Sequence, residues 1–184
     1  MGRTSYHHGD LRATILAQAA AMVAERGADG ISLRELARAA GVSHAAPAHH
    51  FTDRRGLFTA LAAEGWRKLA VALEGARPAF LEAAVAYVGF AFAQPGHYAV
   101  MFDRSLIDSA DPALKQAEAA ARAELSRGVE TLTDPRAETD PEAAALAAWS
   151  LVHGFVMLRL NHVIPTAADP VEDVARIARM LFGG

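Results

Sequence analysis

Residues 31–51 read ISLRELARAAGVSHAAPAHHF, and they contain two helix start signals in quick succession. Ser32 can cap a first helix, because Glu35 stands three residues later as the reciprocal partner of a capping box. Gly41 is placed to end that helix after about two turns, and Ser43 offers the next N-cap. Two short helices joined by a three-residue turn that contains glycine are typical of a helix-turn-helix. The stretch therefore predicts this motif.

Helical patterns extend outward from the motif in both directions. A first helix is expected from Asp10 to Gly27, and a longer helix capped by Asp53 follows the motif. Beyond it, helices are expected at about 78–93, 97–103, 112–131, 141–162 and 170–182, with breaks that include Thr133-Asp134-Pro135. The alternation typical of strands is missing from the sequence. We therefore predict an all-α protein of about nine helices, in which a three-helix head (residues 1–55) is joined to a helical body (residues 56–184).

The composition favours helices and excludes several classes of protein. Of the 184 residues, 43 are alanine, which is the strongest helix former and fills sheets poorly. The chain has no cysteine, so disulfide scaffolds, thiolate zinc sites and cysteine nucleophiles are excluded. No uninterrupted apolar run approaches the roughly 18 residues of a membrane span, and the first residues lack the apolar core of a signal peptide. We expect a soluble, cytoplasmic protein with no membrane partner.

Charge and motif content narrow the function further. Seven Lys and Arg against five Asp and Glu make the head mildly basic, while the body has eleven against sixteen. The sequence has no glycine-rich phosphate loop, His-Glu-x-x-His motif or nucleophile elbow, so we expect neither an enzyme nor a cofactor. Adjacent histidines such as His49 and His50 point to divergent faces of a helix. No metal site is predicted, and a zinc or nickel sensor is kept as an alternative.

Residues 31–62, ISLRELARAAGVSHAAPAHHFTDRRGLFTALA, resemble the DNA-binding domain of the TetR/AcrR family of transcriptional regulators. The opening YHHGDLR and the later run from Trp149 through His153 to Gly154 resemble a subgroup whose C-terminal domain carries a Trp…His-Gly motif. The resemblance implies a homodimer that binds a palindromic operator in double-stranded DNA. It also implies a repressor that a small apolar or amphipathic ligand releases from that DNA.

The resemblance further implies which residues meet DNA. It assigns base contacts to His44, Ala45, Ala46 and His49, and phosphate contacts to Ser43, His50 and Arg54. An N-terminal arm with Arg3, Tyr6, His7 and His8 either follows the DNA or is a frayed terminus. Ala48 stands where the family usually has an aromatic residue, most often Tyr. The hydrogen bond from that tyrosine to a DNA phosphate is worth about 1 kcal/mol. Pro47 also removes a backbone donor from the short helix. An alternative stays open, in which the chain is a ligand-binding or protein-interaction module that has lost useful DNA affinity.

The last two long helices expected in the body are apolar over more than one face. A surface helix of a monomer buries a single face, so a second apolar face indicates a partner. Two such helices from each subunit form a four-helix dimer interface, which the family resemblance also implies. The predicted interface residues are Leu151, Phe155, Leu158, Val174, Ile177 and Leu181. The alternative for the 141–162 helix is a central helix of the core.

Between the head and this interface lies a set of residues rich in aromatic side chains and methionine. Together they can line an apolar cavity with a few polar groups, which is the usual make-up of a small-molecule site. The predicted pocket residues are Phe90, Tyr98, Met101, Phe102, Trp149 and His153. Ordinary core packing is the alternative for each of them, and none identifies the ligand.

Overall fold

The computed structural model describes residues 8–76, 79–165 and 169–181, and all regular structure within these ranges is helical. The ten described helices are α1 (His8–Arg26), α2 (Leu33–Ala39), α3 (Ala45–Phe51), α4 (Arg54–Gly75), α5 (Phe80–Ala93), α6 (Pro95–Met101), α7 (Pro112–Val129), α8 (Pro135–Thr139), α9 (Pro141–Leu160) and α10 (Pro170–Leu181). The prediction of an all-α protein is confirmed. The predicted arm ahead of His8 lies outside the described residues, as do the side chains of His8 and Leu181.

The short helix α8 occupies a segment where a break is expected from the sequence. The Asp134 side chain accepts a hydrogen bond from the Arg136 N–H at 2.8 Å, and Pro135 is the first helical residue. An aspartate followed by proline is therefore a start signal here, as it is at the beginning of α9. The predicted break is present at Thr133 and Asp134, but no helix was predicted at 135–139, because α8 has five residues and buries only Ala137, which is too short a pattern to show helical periodicity.

The chain folds into two compact units that are not continuous in sequence. Unit 1 comprises Met1–Gly65 and Gln94–Gln116, and unit 2 comprises Trp66–Ala93 and Ala117–Gly184. In unit 1, α1 packs against α2, α3 and α6. In unit 2, α5 packs against α9 and α10, and α9 also packs against α8 and α10. These units describe packing, so the division of function between residues 1–55 and 56–184 stays a prediction.

Local capping interactions fix the end and the beginning of α2. In the capping box the Glu35 N–H donates to Ser32 Oγ at 3.2 Å, and the Ser32 N–H donates to Glu35 Oε2 at 3.4 Å. Gly41 follows α2 with a φ of +67°, a conformation that glycine adopts without strain. The Val42 N–H then donates to the Ala37 carbonyl at 3.0 Å, which closes a Schellman motif. Both predicted signals are confirmed.

The beginning of α3 differs from the sequence-based expectation. His44, rather than Ser43, is the N-cap residue, and its side chain makes no capping hydrogen bond. The Ser43 carbonyl instead accepts the Ala46 N–H at 3.0 Å. Pro47 occupies the third helical position, where it has no N–H that needs a capping acceptor. A side-chain cap is therefore less necessary at this helix than at α2.

Helix α6 packs on α1 at a distance that only glycine allows. A Cβ atom on Gly96 would lie 1.9 Å from the carbonyl oxygen of Ala20. The neighbouring His97 is buried, and its Nε2 lies 3.2 Å from Glu64 Oε1. These contacts place α6 among the helices of unit 1, although it is distant from them in sequence.

Helix α9 packs against α5, α8 and α10 within unit 2. It is also the described helix that is long and apolar enough to span a membrane by length and composition, a test that the core helix of a soluble protein passes as well. The buried Arg159 near its end lies with Nη1 3.5 Å from Asp173 Oδ2 of α10 and also donates to the Pro165 carbonyl. Its Cζ atom lies 5.8 Å from the centre of the Phe155 ring. These contacts tie α9 to α10.

Candidate nucleic-acid interface and ligand pocket

Helix α3 has an apolar inner face and an accessible outer face. Pro47 and Phe51 are buried, because α1 and α2 both pack on α3. On the other side Ser43, His44, Ala45, Ala48 and His49 are exposed, and Ala46 and His50 are half-buried. The rings of His49 and His50 lie 5.7 Å apart between centroids. The residues expected to contact bases are thus on accessible surface, and their contact with DNA stays a prediction.

Arg54, which we expect at a phosphate, is bound within the head. Its Nε donates to the Ile31 carbonyl at 3.0 Å, and its Nη2 donates to the Ala28 carbonyl at 2.9 Å. Its Cζ lies 4.8 Å from the centre of the Phe58 ring. The guanidinium therefore ties the loop between α1 and α2 to the beginning of α4. The phosphate contact of Arg54 stays a prediction, and it now competes with a positioning role inside the protein.

Arg12 is a cation beside α3 that sequence reasoning missed. It is exposed on the first turns of α1, and its Cζ lies 5.2 Å from the centre of the Phe51 ring at the end of α3. Arg12 is the last residue of the YHHGDLR segment. The family resemblance included this segment but assigned no role to Arg12. Helical periodicity alone cannot reveal that the beginning of α1 meets the end of α3.

The connection between α3 and α4 is a strained turn. Thr52 has φ +65° and ψ −58°, and the Asp53 N–H donates to the Phe51 carbonyl at 2.7 Å across it. These values define a γ-turn of the rare strained form, at a β-branched residue. Asp53 then caps α4 by accepting the Gly56 N–H at 2.7 Å, as predicted. A Cβ on Gly56 would lie 2.0 Å from the Phe51 carbonyl oxygen, so the two helices meet as closely as the backbone permits.

The six predicted pocket residues fall into two groups, one in each unit. Tyr98, Met101 and Phe102 lie on α6 in unit 1, where the Tyr98 and Phe102 rings are 5.0 Å apart between centroids. Phe90, Trp149 and His153 lie on α5 and α9 in unit 2. Phe90, Tyr98 and Met101 are buried and the other three are half-buried, so a core role and a pocket role both remain consistent with their placement.

Trp149 and His153 converge on one buried hydroxyl group in unit 2. Trp149 Nε1 donates to Tyr87 Oη at 3.3 Å, and the same oxygen lies 3.2 Å from His153 Nδ1. Burial lowers the pKa of His153 below its ordinary value, so the ring is neutral at pH 7. Tyr87 can then donate to Nδ1, and the ring proton is placed on Nε2. Tyr87 was named among the aromatic residues of the sequence but not among the pocket residues.

Three cavities in unit 2 are candidates for a ligand. The largest, about 670 Å³, is lined by Phe80 and Leu81 of α5, residues 131–135, and Arg179. A second, about 340 Å³, lies along Leu73, Ala83 and Gly128. A third, about 260 Å³, is lined in part by the predicted pocket residue Trp149. Within residues 8–76, 79–165 and 169–181, no group of three His, Asp or Glu side chains is placed to hold a metal ion.

The predicted interface residues differ in how much of each side chain is accessible. Leu158 is 44% exposed and Leu151 half-buried, whereas Phe155 is only 7% exposed. On α10 Val174 is buried, Ile177 is half-buried, and the side chain of Leu181 lies outside the described residues. Two large apolar side chains that the sequence reasoning missed, Leu146 and Met180, are 62% and 84% exposed. Burial of Phe155 within the subunit leaves little of it for a second chain.

Two family models together match most of the chain. Residues 15–61 match the model of bacterial regulatory proteins of the tetR family. Residues 80–181 match that of the tetracyclin repressor-like C-terminal domain. No curated protein sequence matches.

Solved structures of similar proteins extend over nearly the whole chain. A protein of unknown function from Rhodococcus sp. RHA1 is 35% identical with a TM-score of 0.77, and the match covers 98% of this chain and 97% of that one. The putative regulatory protein SCO4313 is 23% identical with a TM-score of 0.77, and all of both chains is covered. NalD, the secondary repressor of the MexAB-OprM multidrug efflux pump in Pseudomonas aeruginosa, is 20% identical with a TM-score of 0.60, and 95% of each chain is covered. The last two likenesses show the fold alone.

Proposed function

The chain belongs to the TetR family of bacterial regulatory proteins, and on that premise we propose that it is a transcriptional repressor that binds a palindromic operator as a homodimer and leaves it when a small ligand binds. Members of the family are non-enzymatic, cytoplasmic DNA-binding proteins with a ligand-binding C-terminal domain. We also place the chain in the subgroup with the Trp…His-Gly motif. The shared hydrogen bonds of Trp149 and His153 with Tyr87 support that placement.

The observation that carries this proposal is the accessible outer face of α3. A recognition helix enters the major groove with its first residues at base edges, which requires an unobstructed outer face and a firmly packed inner one. Both conditions hold for α3, since Pro47 and Phe51 are buried while His44, Ala45 and His49 are exposed. The proposed base contacts are His44, Ala45, Ala46 and His49. The proposed phosphate contacts are Ser43, His50 and Arg54, with Arg12 as an additional one, and Arg54 also holds the loop between α1 and α2.

A homodimer follows from the apolar surface that unit 2 leaves exposed. Met157 and Leu158 of α9 and Met180 of α10 are large apolar side chains on accessible surface. Two helices with such faces in each subunit fit a two-fold four-helix interface. We propose that Leu151, Leu158 and Ile177 belong to it, with Phe155 and Val174 supporting it from the core. A two-fold dimer presents two copies of α3, which matches a palindromic operator.

A second candidate function rests on Ala48. The side chain at this position is exposed, so an aromatic residue there is not needed to fill the core, and its absence acts on the DNA side alone. In this second reading the protein keeps the fold and the ligand site but binds DNA too weakly to regulate transcription.

Fluorescence anisotropy with the DNA that flanks the protein's own gene tests both readings. We expect specific binding that exceeds binding to random DNA of the same length by at least 10³-fold, the usual lower margin for a specific site. His49→Asn should reorder the preference among operator variants, because a base-edge contact carries sequence information.

The matched control is His162→Asn, which makes the same change at an exposed histidine at the end of α9. This variant should leave the operator preference unchanged. Equal affinity for flanking and random DNA favours the second reading.

A further inference from the structure

The cleft of about 260 Å³ beside Trp149 has both apolar and polar side chains in its lining. Leu125 of α7, Ala145 and Leu146 of α9, and Trp149 are the apolar ones, and Arg122, Ser126 and Glu142 are the polar ones. Sites for drug-sized ligands usually measure roughly 300–1,000 Å³, so this cleft suits a smaller molecule. A ligand that fills it must be apolar on one side and polar on the other.

Arg122 covers a face of Trp149 and keeps donors for a ligand. Its Cζ lies 4.5 Å from the centre of a Trp149 ring, and its Nη2 donates to Glu118 Oε1 at 2.8 Å. A guanidinium has five N–H donors in a planar fork that matches a carboxylate. The bond to Glu118 uses one of them, so an anionic group in the cleft finds donors already positioned by the stack on Trp149.

A much smaller space adjoins the cleft. Leu125, Ala145 and Trp149 also line this space of about 10 Å³, whose other lining residues include Ala83, Ala84 and Ala148. A space of that size holds about one water molecule, but its lining is apolar and offers water no partner. The cleft and this small space share Leu125, Ala145 and Trp149 in their linings, so apolar side chains separate the two.

The charges around the cleft favour an anion over a cation. An organic cation has to displace the tethered guanidinium from the Trp149 face and is repelled by it, whereas an anion binds to it in place. Glu142 opposes an anion, but it is exposed and lies in the first turn of α9, where the helix N-terminus offsets negative charge. Glu118 is already paired with Arg122.

We propose that this cleft binds a small amphipathic carboxylate, with the carboxylate on Arg122 and the apolar part against Trp149 and Leu125. The inference rests on the ligand-responsive function proposed above and names the class of ligand. It differs from the family-level expectation in fixing the sign of the ligand charge and the residue that reads it.

Calorimetric titration of the full-length protein without DNA tests the inference. Octanoate, octylamine and 1-octanol each have eight carbon atoms in one unbranched chain and differ in the group at its end. Octanoate should bind at least tenfold more tightly than the other two, because charged hydrogen bonds are the stronger ones. Arg122→Gln should weaken octanoate binding at least tenfold and leave 1-octanol within twofold, and Glu142→Gln should tighten octanoate binding.

The matched control is Arg127→Gln, which removes another α7 arginine that is also paired with a glutamate, Glu124. It should leave octanoate affinity unchanged. Tighter binding of octylamine, or equal losses in the Arg122 and Arg127 variants, overturns the inference. Octanoate that binds as expected but does not release DNA supports the inference and refutes the ligand-responsive part of the proposed function. Release of DNA by another compound, without octanoate binding, refutes the inference alone.

Discussion

Arg54 can bind a DNA phosphate or hold the loop between α1 and α2, and Arg54→Lys separates these two roles. Lysine keeps the positive charge but lacks the planar guanidinium with its several N–H donors. Arg54 makes two carbonyl hydrogen bonds, at 3.0 and 2.9 Å, and stacks on Phe58. Lysine can keep one of those bonds at best. A hydrogen bond from a charged donor is worth about 1.5–3 kcal/mol. Arg54 is only half-buried, so solvent reduces that value here. We expect a loss of about 2 kcal/mol in the free energy of unfolding, which is about 4–8 °C in Tm for a chain of this size.

The salt dependence of DNA binding completes the test. If Arg54 positions the head, Arg54→Lys should lower DNA affinity while the slope of log K against log salt stays the same. If Arg54 binds a phosphate, the lysine variant should keep both the parent Tm and the parent affinity, and Arg54→Gln should reduce the slope by about one. The control is Arg34→Lys, at an exposed arginine of α2, which should change neither quantity. An unchanged Tm in Arg54→Lys would refute the positioning role.

Three further predictions concern assembly, pH and strain. Leu158→Glu should yield monomers in sedimentation without a fall in Tm, while Phe155→Glu should lower the Tm by burying a charge, and a stable Leu158→Glu dimer contradicts the proposed interface. Burial lowers the pKa of His153, so the unfolded chain binds a proton at this residue more tightly than the folded chain does. The free energy of unfolding, measured in urea, should therefore be constant above about pH 6.5 and fall as the pH drops toward the pKa of the folded state. His153→Gln should remove this dependence on pH. Thr52→Gly should raise the Tm by about 2–4 °C, because glycine relieves roughly 1 kcal/mol of strain at the positive φ, and a lower Tm argues against a strained turn.

Sequence reasoning succeeds here where a structure depends on residues close together in the chain. The Ser32–Glu35 capping box and the turn at Gly41 depend on a few adjacent positions, and both form as predicted. The sequence pattern did not predict α8, because a helix of five residues shows no periodicity. The spacing of apolar residues also identifies the inner face of α3, since Phe51 is buried as its position predicts.

The sequence pattern could not predict contacts between residues that are far apart in the chain. Arg54 was expected at DNA because its position in the family motif is known, whereas its two carbonyl partners lie in a loop more than 20 residues earlier. Arg12 contacts the Phe51 ring and Arg122 contacts the Trp149 ring. Only the tertiary fold brings these residues together, so the sequence does not reveal the contacts. Helical periodicity shows which face of a helix is buried but not which neighbour covers it.

The discontinuity of unit 1 has a consequence for how the protein is made. The face of α1 around Ala20 is completed by Gly96, and residues 66–93 are synthesised in between. At a translation rate of about 5–20 residues per second, the chain from residue 65 to residue 116 takes roughly 3–10 s to emerge. During that interval the first three helices wait on the ribosome with an apolar face uncovered. We therefore expect a chain that stops before α6 to lack the helix that packs on α1.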